Sequence, residues 1–268
     1  MTPPIDDASA ARGQGSLRLP LSPVTDGGVR PLVVGSVAVV AVALLLTVPA
    51  SFAAGFTAVA VLMLVFAATW PALGGSRTPE AAAVVLAVSG AGIVAAALSQ
   101  DLVWGAGGVA LGIVLAFLQQ VLRPDGREGL VLSLLAACAG LSVVASGALL
   151  AVLGHRVETH GIVIVTLAAV LASLIGDLLL PVAWLRPFLG LVVLAVAIVS
   201  ALLIRSHVDG VSLAQAIGIA AAAGTLSFSF RRVLALEPAM LGPRGQLAAG
   251  VGSVLVVGAI AYLFDLLA

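Results

Sequence analysis

One acidic residue, Asp177, stands inside a long apolar run, where an ionised side chain is costly. It lies in the segment Leu174-Ile175-Gly176-Asp177-Leu178. Ionisable groups in such positions mark ion or substrate pathways, or they pair with another buried group. Two interpretations therefore stay open. Asp177 is a functional group that faces protein or water, or it makes a structural contact, for which Arg186 across the following loop is the expected partner.

A second candidate is a polar patch that joins the ends of two apolar segments. Its members are Gln119, Gln120, Arg123, Asp125, Arg127, Glu128, Arg231 and Arg232. Guanidinium groups bind phosphate oxygens through paired hydrogen bonds, so the patch could hold phosphate groups. The same arginines are also typical of the positive flanks of membrane helices. The sequence favours this second explanation.

Potential metal ligands fall in two other loops. They are His155, Glu158 and His160 in one loop, and His207 and Asp209 in the next. Histidine and carboxylate groups are suitable ligands for zinc and related ions. Their spacing matches no helical metal motif such as H-E-x-x-H, and loop polarity explains them more simply. We expect no cofactor, and the sequence leaves a metal open.

Composition sets the class of protein. The chain has 268 residues, of which 62% are hydrophobic and 9% charged, and its mean hydropathy is +1.25. A water-soluble domain is roughly half apolar and about a quarter charged. This chain must therefore be solvated by lipid. It also lacks lysine and asparagine, which indicates a GC-rich bacterial genome and hence a bacterial inner (plasma) membrane.

The apolar segments predict an all-α bundle of about nine transmembrane helices, since a helical span needs about 20 apolar residues. We expect residues 1–30 to be a disordered cytosolic tail and residues 31–268 to form a single transmembrane domain. The predicted spans are 31–49, 52–73, 80–98, 102–122, 129–153, 161–180, 187–204, 211–230 and 245–264.

The arginines predict the orientation of these spans. Ten of the twelve fall on the same side as the N-terminal tail, and only Arg156 and Arg205 fall on the other. Because arginine accumulates in cytosolic loops, the N-terminus is predicted inside and the C-terminus outside.

The run from about 102 to 264 resembles the CDP-diacylglycerol synthase (phosphatidate cytidylyltransferase) family. Leu122-Arg123-Pro124-Asp125-Gly126 is similar to a family loop, and Gly176-Asp177 resembles a family Ser-Asp step through its Asp. The stretch Gly224-Thr225-Leu226-Ser227-Phe228-Ser229, followed by Arg231 and Arg232, resembles the motif G-D-L-x-E-S with basic residues after it.

The family's carboxylates are mostly missing from these matches. Thr225 and Phe228 replace two of them, and Gly250 and Ser253 stand where a terminal signature has two aspartates. The resemblance implies that such carboxylates hold magnesium and the nucleotide phosphates. It therefore implies a degenerate relative that keeps at most Asp177, and we expect no enzymatic activity of that kind.

Three classes of function remain open from the sequence. The chain is a non-catalytic or repurposed relative of lipid nucleotidyltransferases, a permease or membrane subunit of a transporter, or a structural, partner-binding membrane protein. Membrane lipids are the expected partners, together with a second copy or another membrane subunit. No nucleic-acid partner is expected, because no basic stripe with aromatic residues is present. The small-molecule substrate, if there is one, is unknown.

Reporter fusions test the predicted orientation. Fusions at residues 77, 126 and 240 should report the cytosol, and a fusion at 156 should report the outside, because arginine-rich loops stay in the cytosol. A cytosolic signal at 156, or an external signal at 126, would show that the helix count or the direction is wrong.

Overall fold

The computed structural model describes residues 29–76, 78–99, 102–123, 129–208 and 210–267, and every regular element in this part is helical. The ten α-helices are α1 (Pro31–Thr47), α2 (Phe52–Leu73), α3 (Pro79–Leu98), α4 (Leu102–Val121), α5 (Leu130–Leu153), α6 (His160–Leu178), α7 (Leu189–Arg205), α8 (Leu213–Leu234), α9 (Pro243–Leu255) and α10 (Gly258–Leu266). Short 3-10 helices cover Val157–Thr159, Ala183–Phe188 and Pro238–Leu241.

Eight helical segments of the described chain are long and apolar enough to cross a bilayer, with α9 and α10 taken together as one span. The remaining helix, α1, has 17 residues. At 1.5 Å per residue it rises about 25 Å, somewhat less than the hydrocarbon thickness of about 30 Å. The predicted all-α, multi-pass membrane bundle is confirmed.

The helices begin where the local chemistry favours a first turn. Proline occupies the first helical position of α1, α3 and α9, where its missing N–H costs nothing. Ser51 caps α2 by accepting a hydrogen bond from the Ala54 amide at 3.1 Å. Ser212 caps α8 in a reciprocal box with Gln215, so the two side chains pair the free amides of that turn.

The core of the bundle is built by α6 and α9, with other helices arranged around them. α6 is buried over most of its length and packs against α1, α7 and α8, whereas α9 packs against α1, α2 and α8. α4 and α7 are the most exposed spans and lie at the periphery. Side chains on the buried faces of α6 and α9 therefore contact protein in preference to lipid.

The last span is interrupted, whereas the sequence predicts one continuous helix over 245–264. The chain turns at Val256–Val257, and Ser146 of α5 fills the gap. Its hydroxyl donates to the Val256 carbonyl at 2.8 Å and accepts from the Ala259 amide at 2.8 Å. Gly258 permits this approach, because a Cβ there would lie 2.0 Å from the Ser146 carbonyl oxygen. A helix break inside a membrane is tolerated when its backbone groups find such partners.

Contacts between loops define the two ends of the described bundle. At one end Arg30 donates to the Ala235 carbonyl at 3.2 Å, and this is called the Arg30 end below. At the opposite end Arg156 pairs with Asp265, and His155 meets the Phe52 ring edge-on at 4.4 Å. The loops that the sequence assigns to one side thus meet at one end. Which end faces the cytosol stays a prediction.

Candidate functional site

The main polar feature inside the bundle is an ion pair between α6 and α8. Asp177 lies in the last turn of α6 and Arg231 in the last turn of α8, and they are only 6% and 2% exposed. Nε of Arg231 donates to Oδ2 of Asp177 at 2.7 Å. A guanidinium–carboxylate ion pair is therefore buried near the Arg30 end of the bundle.

Three buried serines complete the environment of the guanidinium group. Nη1 of Arg231 donates to the hydroxyls of Ser227 at 2.7 Å and Ser253 at 3.3 Å. Nη2 donates to the Ser173 hydroxyl at 2.9 Å. These five residues are called the Arg231 cluster below, and they come from α6, α8 and α9.

Helical spacing explains why these residues meet. Ser173 and Asp177 are four residues apart on α6, and Ser227 and Arg231 are four apart on α8, so each pair shares a helix face. Short side chains such as serine and aspartate reach a neighbouring helix only if the backbones approach closely. The remaining requirement is therefore a close approach of the helices.

Glycine provides this approach at two points. A Cβ on Gly176 would lie 2.5 Å from a Val193 methyl group and 2.6 Å from the Phe228 ring, so α6 can sit against α7 and α8 only with glycine there. A Cβ on Gly252 would lie 3.1 Å from the Phe230 ring, so glycine there lets α9 approach α8. Small residues at helix contacts are the usual means of close packing in membranes.

The Arg231 cluster is chemically self-contained. A guanidinium group has five N–H donors, and four hydrogen bonds to protein acceptors already occupy this one. The Asp177 carboxylate has the arginine charge directly beside it. Such an arrangement stabilises the packing of three helices and leaves little bonding capacity for a ligand.

The structure changes two expectations for these residues. The partner of Asp177 is Arg231, and the expected pairing with Arg186 is wrong, because Nε of Arg186 donates to the Leu180 carbonyl at 3.1 Å. Arg231 and Arg232 also lie in different environments, since Arg231 is buried and Arg232 is exposed. They do not act together as one surface site.

The other half of the predicted phosphate patch is separate from the Arg231 cluster. Nη1 of Arg123 donates to Oε1 of the buried Gln120 at 3.0 Å. α4 packs against α3 and α5, whereas α8 packs mainly against α6 and α7. Asp125 and Arg127 lie outside the described residues. The described members of the patch are thus divided between two places.

The predicted metal ligands are dispersed over the opposite end. Nε2 of His160 lies 3.2 Å from the Gly154 carbonyl oxygen, and Nδ1 of His207 lies 2.9 Å from the Ser206 hydroxyl. His155 packs edge-on against Phe52, and Glu158 lies exposed in a 3-10 turn. Asp209 lies outside the described residues. Within the part of the chain that the structure describes, no group of three His, Cys, Asp or Glu side chains is placed to hold a metal ion.

No protein-family model, curated protein or solved structure matches this chain. The site is therefore interpreted from its own geometry. Sequence reasoning identified Asp177 and Arg231 separately, and it did not predict that Ser173, Ser227 and Ser253 bond to Arg231. For two of these serines the sequence does hold a signal. Ser173 is four residues from Asp177 and Ser227 is four residues from Arg231, so each pair shares a helix face.

Substitution of Asp177 tests whether the ion pair stabilises the bundle. Asp177→Asn keeps the shape of the side chain but leaves Arg231 as an uncompensated buried cation, so the free energy of unfolding should fall by about 3 kcal/mol. Thermal unfolding of the purified protein in detergent measures the change. Arg186→Gln is the matched control and should leave the melting temperature nearly unchanged. Equal melting temperatures for Asp177→Asn and wild type would contradict a stabilising pair.

Proposed function

We propose that the chain is a multi-pass protein of a bacterial plasma membrane and a repurposed, non-catalytic relative of the lipid nucleotidyltransferases. In this proposal the guanidinium group of Arg231 takes the place that a metal ion holds in the CDP-diacylglycerol synthase family. The observation that carries the proposal is the pairing of Arg231 with Asp177, the one carboxylate retained from the family resemblance.

Two of the stretches in which the chain resembles that family meet at the Arg231 cluster. Asp177 and Ser227 come from two matched stretches, and Ser253 stands where the family's missing terminal signature has an aspartate; all three contact Arg231. The two sequence intervals are long, since Arg231 is 54 residues from Asp177 and 22 from Ser253. The proximity of two matched stretches that are distant in sequence supports the proposed ancestry.

A magnesium ion does not fit the Arg231 cluster. Magnesium prefers octahedral oxygen coordination that includes carboxylates. The described cluster offers one carboxylate and three neutral hydroxyl groups, and the carboxylate already binds the guanidinium. A second positive charge in the same buried space would be strongly repelled.

Cytidylyl transfer needs cationic groups on the phosphates where negative charge develops. Arg231 has four of its five donors directed to protein acceptors, so it has little capacity to bind a nucleotide. We infer that the residues of the former site now hold α6, α8 and α9 together. The protein would then act through its surface and its partners, with membrane lipids as the first of these.

A permease is the second candidate, because the break between α9 and α10 falls within the last span. Interrupted helices line the substrate sites of many transporters. Here the Val256 carbonyl and the Ala259 amide at the break already bond to Ser146. These two backbone groups are satisfied by the protein, so the break favours transport less than it would with free backbone groups.

An enzyme assay tests the proposal directly. The purified full chain, given CTP, magnesium ions and phosphatidic acid in micelles, should release no pyrophosphate above a control without nucleotide. The physical reason is that no second carboxylate accompanies Asp177 in the described cluster to hold the metal. An active CDP-diacylglycerol synthase in the same micelles serves as positive control. Clear turnover by this chain would overturn the proposal.

A further inference from the structure

A second pair of arginines lies at the Arg30 end, outside the Arg231 cluster. Arg30 immediately precedes α1, and its Nη2 donates to the carbonyl of Ala235, the residue that caps α8. Arg232 is exposed and stands three residues before Ala235 on the same helix. Residues three apart on a helix are neighbours on its surface. The two guanidinium groups therefore lie on the same corner of the bundle.

This corner has positive charge and donors that the described protein leaves unused. Nη1 of Arg30 is buried and has no hydrogen-bond partner within the described part of the chain. Neither Arg30 nor Arg232 forms an ion pair with an acid among the residues that the structure describes. Among the described acids, Glu237 is the nearest to Arg232 along the chain, and it lines a groove with Trp70 and Leu132. Asp177 is already paired with Arg231.

The electrostatic environment of Arg30 agrees with this picture. Burial lowers the pKa of Arg30 below its ordinary value, and the positive charge of Arg232 lowers it further. Burying a donor without a partner is also costly, because a charged group loses water without replacement. Both effects would be relieved by an anion that contacts the two arginines.

A second unpartnered polar atom lies at the same end of the bundle. Oε1 of Gln246, in the first turn of α9, is buried without a hydrogen-bond partner among the described residues, while its Nε2 donates to the Met240 carbonyl. α1 and α9 both begin at the Arg30 end, and Gly250 of α9 packs against Val33 of α1. One turn earlier on each helix brings Gln246 towards Arg30. A protonated phosphate oxygen or a water molecule would satisfy this acceptor.

We propose that Arg30 and Arg232 form a binding site for a phosphate group at the Arg30 end of the bundle. Phosphate oxygens accept paired hydrogen bonds from guanidinium groups, and here Nη1 of Arg30 is free to donate. The C-terminus of α8 carries about half a negative charge, which is smaller than the two positive charges and is already bound by Arg30. The ligand is the phosphate of an anionic phospholipid head group or a free phosphate. The phosphate site does not depend on the ancestry proposed above, so either proposal can be contradicted without the other.

The experiment compares ligands on the detergent-purified full chain by native mass spectrometry and thermal unfolding. The probes are phosphatidylglycerol, zwitterionic phosphatidylcholine and inorganic phosphate. The variants are Arg30→Gln and Arg232→Gln. The control is Arg244→Gln, which removes an exposed arginine from the same end at the start of α9. Wild type should retain phosphatidylglycerol in preference to phosphatidylcholine, or should be stabilised by inorganic phosphate alone.

The measured affinities support or contradict the proposed phosphate site. Affinity should fall at least about tenfold in both variants, because a charge-assisted hydrogen bond is lost, and should persist in Arg244→Gln. Lipid retention without a phosphate effect identifies a head group as the ligand, and the reverse identifies free phosphate. If Arg30→Gln does not fold, Arg232→Gln alone tests the phosphate site, because Arg232 is exposed. Wild-type affinity in Arg232→Gln, or an equal loss in Arg244→Gln, would overturn the proposal.

Discussion

A guanidinium group removed from water is the constraint around which this bundle is arranged. Taking such a charge out of water costs several kcal/mol, and the cost is offset only by a close counter-ion and by acceptors for the remaining N–H groups. Asp177 supplies the counter-ion for Arg231, and three serine hydroxyls supply the other acceptors. Because these side chains are short, α6, α8 and α9 must pack closely. Glycines at their contacts make that packing sterically possible.

The same interaction limits the chemistry that the protein can do in its interior. A buried acid usually indicates ion transport or catalysis, yet Asp177 is engaged by Arg231. Arg30 and Arg232, which have no acidic partner among the described residues, lie at one end of the bundle. This division favours an internal structural pair with recognition at the surface, where lipid head groups lie.

The helices could be predicted from the sequence because nearly every apolar run is long enough to span lipid. The predicted span 52–73 coincides with α2 (Phe52–Leu73), and the predicted span 102–122 exceeds α4 (Leu102–Val121) by one residue. Asp177 was recognisable as a candidate for the same reason, since an acid inside an apolar run is costly. Local composition and spacing were sufficient for both.

The contacts of Asp177 and of the two arginines could not be predicted, because they depend on helix packing between distant parts of the chain. Arg231 and Arg232 look alike in sequence, as flanking cations at a helix end, and only the rotation of α8 buries one and exposes the other. No proline in the sequence marks the break at Val256–Val257. It depends on Ser146 of α5, which lies 110 residues from Val256.

The most direct measurement of this account is a double-mutant cycle on the buried pair. Asp177→Leu, Arg231→Met and the double variant are compared with wild type by unfolding in detergent. Each single change leaves an isolated buried charge and should cost about 3–5 kcal/mol, whereas the double change removes both charges and should recover most of that loss. A double variant whose loss equals the sum of the two single losses would contradict the claim that Arg231 and Asp177 neutralise each other.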